Sequence, residues 1–335
     1  MVLRQLGSEG CLTSGPIAAV YQAAFVGYVV RVKVLYSNHY EVNLDGHPWH
    51  TSKYRLILER LRSEGIVAEV DVVQSEMVGD EDLLRVHTYS YWQELCDLNF
   101  SPEQVARAGL PVTTQTVDLF WRFAGGTLQA SEHALKDGVA VHLGGGFHHA
   151  FDDHATGFCL INDIAISVRT LLDRDSIQRP LIIDCDAHQG DATARIFRND
   201  SSVFTFSMHA KRNFPYLKQQ SSLDVELENG ISDDEYLSEL KNALDSIFTG
   251  QSRFDFIHYQ AGADPGKDDL LGGLALTAEG LKARDRMVME RAVSMGIPIV
   301  VTLGGGYTAD VRDVVEIHFN TVCVAAGIAN RNQAD

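Results

Sequence analysis

The feature that most constrains this chain is a series of short apolar runs, each of strand length and each followed within a few residues by glycine or polar side chains. Segments with helical periodicity lie between them. Strands that alternate with helices predict an α/β fold in which helices cover both faces of a parallel sheet. The runs are residues 32–36, 68–73, 139–143, 181–183, 203–206, 256–259 and 297–302, and the helical segments include residues 52–63, 113–135, 165–172, 234–248 and 277–295.

The length of 335 residues allows one large α/β domain. We expect that domain over residues 32–335, with an extension outside the main fold over residues 1–31. The net charge of −17 argues against nucleic-acid binding, which needs a basic surface. Five widely spaced cysteines without a C-x-x-C pair indicate a reducing, cytoplasmic location. No apolar run is long enough to span a membrane, and nothing in the sequence sets the oligomeric state.

Polar residues cluster after five of the apolar runs. Ligands of parallel α/β sheets bind outside the carboxyl ends of the strands, which lie at one edge. We therefore expect these segments to converge on one polar pocket. The five segments are residues 144–149, 184–191, 207–209, 260–265 and 303–307.

A metal site is predicted within these segments. Asp186 and His188 are two positions apart, so on an extended backbone both side chains point the same way. Carboxylate and imidazole groups suit Zn²⁺, and Asp264 at another strand end is a natural third ligand. Three protein ligands leave one position open, as in catalytic zinc sites. Taken alone, the first pair would more often be a helix N-cap and a buried histidine, but the neighbouring segments favour a metal.

Tandem histidines follow three glycines at residues 144–146. His148 and His149 could serve as general base and acid partner for a metal-bound water, or be a structural pair in a loop. Asp184 and Asp191 are suitable acceptors for their Nδ1–H groups. These residues indicate a mononuclear metal hydrolase.

Aromatic residues on loops complete this prediction. Tyr307, on a glycine-rich turn, could donate to a developing oxyanion, although a tyrosine is more often a packing residue. Phe158 and Phe214 also lie on loops rather than on periodic faces, and could form the walls of a narrow apolar channel.

Taken together, these segments resemble zinc-dependent histone deacetylases over roughly residues 33–325. The resemblance implies an arginase/deacetylase-like open three-layer α/β/α fold with a mostly parallel sheet. It also implies a hydrolase that removes acyl groups, chiefly acetyl, from lysine side chains. The matching motifs are residues 144–150, 157–159 with 162–163, 184–191, 261–264 and 304–307.

The resemblance assigns roles to particular residues. It implies one Zn²⁺ per chain on Asp186, His188 and Asp264. It implies a K⁺ ion on main-chain oxygens of Asp184, Asp186, His188, Ser207 and Met208. The catalytic residues would be His148, His149 and Tyr307, with Asp184 and Asp191 behind the histidines, and the substrate channel would include Gly157, Phe158, Phe214 and Leu271.

The subgroup is indicated by Gln189, which stands where better-known members have a second histidine. Gln189, with residues 233–237 and 271–274, resembles class IV and its bacterial relatives. Some class IV enzymes prefer long fatty-acyl lysine, so a fatty-acyl-lysine hydrolase is one alternative. An acetylpolyamine deacetylase, acting on a small acylated amine, is another, because Asp268 and Asp269 are near Asp264 and could act as acidic gatekeepers.

Two further alternatives belong to other classes. An arginase-type ureohydrolase needs extra carboxylates for a second metal, and Gly190 and Gly262 disfavour them. A non-catalytic protein that only binds acyl-lysine would retain the fold without turnover, although no residue required for the chemistry is missing.

Overall fold

Eight short strands form one sheet in the computed structural model, which describes residues 32–249 and 253–331. The predicted extension over residues 1–31 lies outside the described residues. The strand order is β2-β1-β3-β8-β7-β4-β5-β6, and every pair is parallel. The strands are β1 (Lys33–Tyr36), β2 (Val72–Gln74), β3 (Val139–His142), β4 (Pro180–Asp184), β5 (Phe204–Ala210), β6 (Leu223–Leu227), β7 (Phe256–Gln260) and β8 (Ile299–Thr302).

Helices cover both faces of the sheet, which confirms the predicted three-layer α/β/α fold. Helix α5 packs on β1, β3 and β8 and contacts α6, which in turn contacts α7; α10 packs on β3 and contacts α1 and α9. No described helix is both long and apolar enough to cross a bilayer. The helices are α1 (Lys53–Ser63), α2 (Asp80–Leu83), α3 (Tyr89–Asp97), α4 (Pro102–Ala108), α5 (Thr114–Asp137), α6 (Asp163–Asp173), α7 (Asp191–Phe197), α8 (Asp233–Thr249), α9 (Ala278–Ser294) and α10 (Val311–Arg331).

Strand prediction works in the centre of the sheet and is weaker at its edges. Strands β3, β4, β7 and β8 are buried along their whole length, so each has an apolar run. Edge strand β6 has no continuous apolar run and so is not among the predicted strands, although its alternation of Leu223, Val225 and Leu227 with Asp224 and Glu226 is typical of a half-exposed strand. At the other edge, the strand predicted over residues 68–73 is a 3₁₀ turn at Glu69–Asp71 followed by β2.

Four of the five predicted polar segments follow β3, β8, β7 and β4, which are neighbours in the sheet. Their convergence is confirmed. The fifth placement was wrong, because residues 207–209 lie within β5 rather than after it. Pairing with β6, in which Ser207 faces Asp224 and Met208 faces Val225, extends the strand through these residues.

A buried ion pair on α9 fixes two of these strand ends. Arg284 donates to the carbonyl oxygen of Cys185 at 3.1 Å and to that of Gly262 at 2.7 Å, just beyond β4 and β7. Its partner Asp285, at 2.8 Å, also accepts from the Tyr259 hydroxyl at 2.6 Å. Both charged side chains are fully enclosed, so their contacts hold the polar strand ends in place.

Replacement of Arg284 by Met should lower the free energy of unfolding by about 3–5 kcal/mol, because it leaves a buried carboxylate without its cation. Urea denaturation followed by circular dichroism measures this change. The matched control is Lys241→Met, which removes an exposed pair with Asp245 and should cost less than about 1 kcal/mol. Equal losses in the two variants would contradict this role for Arg284.

Candidate active site

Three buried side chains meet beyond the carboxyl ends of β4 and β7: Asp186, His188 and Asp264. Nδ1 of His188 lies 3.0 Å from Oδ1 of Asp186 and 3.0 Å from Oδ2 of Asp264. All three potential ligand atoms lie within 4.8 Å of one another. One imidazole nitrogen and two carboxylate oxygens form a donor set that suits a divalent ion such as Zn²⁺.

The local backbone orients both carboxylates. Asp186 accepts from the backbone N–H of His188 at 2.9 Å, and Asp264 accepts from that of Ala187 at 2.8 Å. Burial raises the pKa of Asp264, and the neighbouring Asp186 carboxylate raises it further. A bound cation would relieve this repulsion, so the residues present fit a metal ion.

Each of the two histidines faces a carboxylate. Nδ1 of His148 lies 2.6 Å from Oδ2 of Asp184, and Nδ1 of His149 lies 2.7 Å from Oδ1 of Asp191. The two ring centroids are 4.1 Å apart. Nε2 of His148 lies 3.8 Å from Oδ1 of Asp186. Since the carboxylates occupy the Nδ1 atoms, the Nε2 atoms remain available for proton transfer on the side of the pair that faces Asp186.

The two imidazoles have opposite pKa shifts. Burial lowers the pKa of His148, but the Asp184 and Asp186 carboxylates outweigh it and raise the pKa to about 9. Burial lowers the pKa of His149 well below its usual value, and the nearby His148 and His188 lower it further. The two rings therefore differ in basicity, with His148 the more basic, and two imidazoles of unequal basicity suit proton transfer.

Tyr307 lies on the other side of the site, with its ring centroid 6.3 Å from that of His188. Burial raises the pKa of Tyr307 well above its usual value, and the Asp264 and Asp186 carboxylates raise it further. The hydroxyl therefore stays protonated and able to donate a hydrogen bond.

Asp269 holds the backbone beside Tyr307. Its carboxylate accepts from the backbone N–H groups of Tyr307 at 2.6 Å, Leu271 at 2.8 Å and Gly272 at 2.9 Å. The sequence suggested only a gatekeeper role for this residue. Its three backbone hydrogen bonds instead join the turn that carries Tyr307 to the loop directly after Asp269. Leu271 is exposed on that loop.

Two loop phenylalanines border the site as the sequence suggested. The Phe214 ring lies edge-on to His149 at 4.9 Å, and the Phe158 ring lies 5.8 Å from that of Tyr307. Gly157 has a φ of +56°, and a Cβ there would lie 2.7 Å from the His149 ring and 2.8 Å from that of Phe214. Only glycine fits this position.

The cavity among these side chains is small, with a free volume of about 20 Å³. Its lining includes Trp49, Tyr54, Phe147 and the fully buried Lys53, whose ammonium donates to the carbonyl oxygen of Gly305. Burial lowers the pKa of Lys53 to about 8. Lys53 resembles part of the family's opening segment, but sequence reasoning assigned it no role in the site, because a lysine that starts an amphipathic helix normally faces solvent.

The predicted potassium residues lie on adjacent backbone segments. Asp184 of β4 is in register with Ser207 of β5, and Met208 follows in the same strand. Asp186 and His188 lie in the turn after β4. The potassium ion itself stays a prediction.

Comparisons with known proteins agree with this geometry. The family model for the histone deacetylase domain matches residues 47–322. An uncharacterised Picosynechococcus protein is 39% identical over 81% of this chain and 90% of its own. Histone deacetylase 2 of Arabidopsis thaliana is 31% identical over 83% and 75%. A crystal structure of an HDAC homologue complexed with SAHA has a TM-score of 0.76 at 25% identity, covering 89% of this chain and 84% of its own, which confirms the predicted fold.

Replacement of Asp264 by Ala should abolish stoichiometric metal binding, because it removes one of three converging ligands. Metal content after dialysis against limiting Zn²⁺ measures the effect. Asp268→Ala is the control, since Asp268 is an exposed neighbour outside the three-residue group. A full equivalent of zinc in the Asp264→Ala protein would exclude Asp264 as a ligand.

Proposed function

The chain belongs to the histone deacetylase family, and we propose that it is a zinc-dependent amidohydrolase that removes acetyl groups from lysine side chains. Members of this family are deacetylases that act on acylated substrates. The observation that carries the proposal is the convergence of Asp186, the histidine pair and Tyr307 on one small cavity, with Asp186 grouped behind it with His188 and Asp264. The class IV assignment stays a prediction from the sequence.

The chain's own residues supply the proton transfers and the binding of the developing charge. A zinc ion on the three ligands would polarise the amide carbonyl and lower the pKa of a water molecule. His148 and His149, oriented by Asp184 and Asp191, take the proton of the attacking water and deliver one to the departing amine. The Tyr307 hydroxyl donates to the carbonyl oxygen as negative charge develops there.

Cavity size supports a short acyl group. A free volume of about 20 Å³ is close to the room needed by a single water molecule. Trp49 and Phe147 on its lining are themselves packed together, with ring centroids 5.5 Å apart. A methyl group needs little more room than this, whereas a fatty-acyl chain requires these rings to move. The cavity therefore favours acetyl-lysine over the long-chain alternative.

The remaining alternatives are each opposed by an observation. Three backbone N–H groups occupy the Asp269 oxygens, which leaves fewer acceptor positions for a polyamine ammonium group. A ureohydrolase needs two metals, and the described residues contain one three-ligand group. A protein that only binds acyl-lysine has no need for two carboxylate-oriented histidines. We also propose a K⁺ ion on main-chain oxygens of Asp184, Asp186, His188, Ser207 and Met208.

Tyr307→Phe should lower kcat by roughly 10²–10³-fold while zinc content stays at one equivalent, because it removes one donor to the developing oxyanion. Turnover of an acetyl-lysine peptide and metal analysis of the same samples measure both quantities. Tyr216→Phe is the control, since the Tyr216 side chain is exposed and outside the cavity lining. Unchanged kcat in Tyr307→Phe would contradict the proposed role.

Matched peptides that carry acetyl-lysine or myristoyl-lysine test the acyl length directly. The zinc-loaded protein should hydrolyse the acetyl peptide faster, because a long acyl chain requires a larger movement of the rings that line the cavity. A metal chelator should stop both reactions and serves as the control. Faster release of myristate would overturn the acetyl assignment in favour of a fatty-acyl hydrolase.

A further inference from the structure

A buried carboxylate outside the metal group holds the backbone that precedes the two histidines. Oδ1 of Asp163 accepts from the backbone N–H of Phe147 at 2.7 Å, and Oδ2 accepts from that of Gly146 at 2.9 Å. Asp163 is 1% exposed, so these bonds are shielded from water. Phe147 is directly followed by His148 and His149, so this carboxylate sets the start of the histidine segment.

Three further side chains orient this carboxylate through a chain of hydrogen bonds. Oγ1 of Thr127 lies 2.5 Å from Oδ2 of Asp163 and 2.9 Å from Nδ1 of His142. Nε2 of His142 lies 2.6 Å from the Tyr40 hydroxyl. Burial lowers the pKa of His142 to about 3, so its ring is neutral and carries one proton.

The number of protons on each side chain determines which atom donates in each of these hydrogen bonds. Thr127 has one hydroxyl proton, and a carboxylate can only accept it, so Thr127 donates to Asp163. Thr127 must then accept from Nδ1–H of His142. Nε2 of His142 is left without a proton and accepts from Tyr40. In the hydrogen-bond series Tyr40–His142–Thr127–Asp163, each residue therefore donates to the next. The series ends at the carboxylate that holds the histidine segment.

The same segment is held from its opposite side by Gln260 at the end of β7. Nε2 of Gln260 donates to the carbonyl oxygen of Gly146 at 3.0 Å, and its Oε1 accepts from Thr302 at 2.6 Å. Gly145 has a φ of +74°, and a Cβ there would lie 2.5 Å from both Asp163 and Thr127. The loop therefore packs directly against the hydrogen-bond chain, with both polar backbone groups of Gly146 engaged.

Capping of helix α6 does not account for the Asp163 carboxylate. Asp163 is the first residue of α6, but Asn162 is its N-cap and accepts from the backbone N–H of Ala165 at 2.9 Å. The Asp163 oxygens are instead occupied by Gly146, Phe147 and Thr127.

We propose that Asp163, oriented by Thr127 and His142, is a positioning residue for the reaction at His148 and His149. The proposal rests on the proposed function. It adds which residues outside the metal group determine where the two imidazoles lie. Asp163 touches neither histidine side chain in the described contacts and acts through the backbone of residues 146–147. A displacement near 1 Å of reacting groups can lower turnover by about 10²-fold.

The test compares Thr127→Val, which keeps the shape of the side chain but removes the hydroxyl, with Thr127→Ser, which keeps the hydroxyl. Active sites are counted by titration with a tight-binding hydroxamate, and kcat is expressed per titrated site on an acetyl-lysine peptide. We expect Thr127→Val to lower kcat per site roughly 10- to 100-fold, with KM changed less than about 3-fold. Thr127→Ser should stay within about 3-fold of the wild type in kcat per site.

Two further variants separate positioning from general loss of stability. Ser131→Ala removes a buried hydroxyl one turn further along α5 that donates to the Thr127 carbonyl oxygen at 2.8 Å and does not contact Asp163. It should leave kcat per site unchanged even if fewer sites are titrated. Asp163→Asn, which replaces an acceptor by an amide, should lower kcat per site at least as much as Thr127→Val and keeps the test available if Thr127→Val does not fold.

Wild-type kcat per site in Thr127→Val, or in Asp163→Asn where Thr127→Val does not fold, would overturn the positioning proposal while leaving the proposed function intact. Equal losses in Ser131→Ala and Thr127→Val would also overturn it. Failure of the zinc-loaded wild type to hydrolyse any acyl-lysine peptide would instead contradict the proposed function, and this proposal with it.

Discussion

The rest of the structure depends on the enclosure of two carboxylates, Asp186 and Asp264, against one imidazole at the ends of two adjacent strands. Two buried negative charges this close repel each other, and burial adds a desolvation cost. Backbone N–H groups of Ala187 and His188 orient both acids but cannot cancel their charge. A divalent cation can, so the arrangement that constrains the fold here also fits the proposed metal site.

Successive contacts around this group set the remaining geometry. Carboxylates orient the two histidines, and Asp163 and Gln260 hold the loop from which they project. Asp269 performs the corresponding task for the turn that carries Tyr307. Asp163, Asp184 and Asp191 are buried, and in such a water-poor interior directional hydrogen bonds are strong and a missing partner is costly. These directional bonds hold the proposed reacting groups and the loops that carry them.

Prediction from the sequence succeeded for the buried central strands and for site residues that lie close together in the chain. The central strands are apolar because both faces are covered, and the Asp186–His188 spacing places two side chains together within one short segment. It failed for β6, whose exposed edge tolerates Asp224 and Glu226, and for the end of β5, which lengthens by pairing with that edge. The length of β5 is set by the neighbouring strand, whereas the alternating pattern of β6 is a local signal that continuous apolar runs do not capture.

The sequence by itself determined the α/β class, the polar strand ends and the residue types that converge there. Only the tertiary structure decided that Lys53 is buried under the site, that Asp269 and Asp163 serve backbone segments distant in the chain, and that the cavity is small. The physical reason is the difference in sequence separation between local patterns and tertiary contacts. Periodicity and spacing act over a few residues, whereas the Lys53–Gly305 contact joins positions 252 residues apart. Contacts of that kind exist only after the sheet has brought its strand ends together.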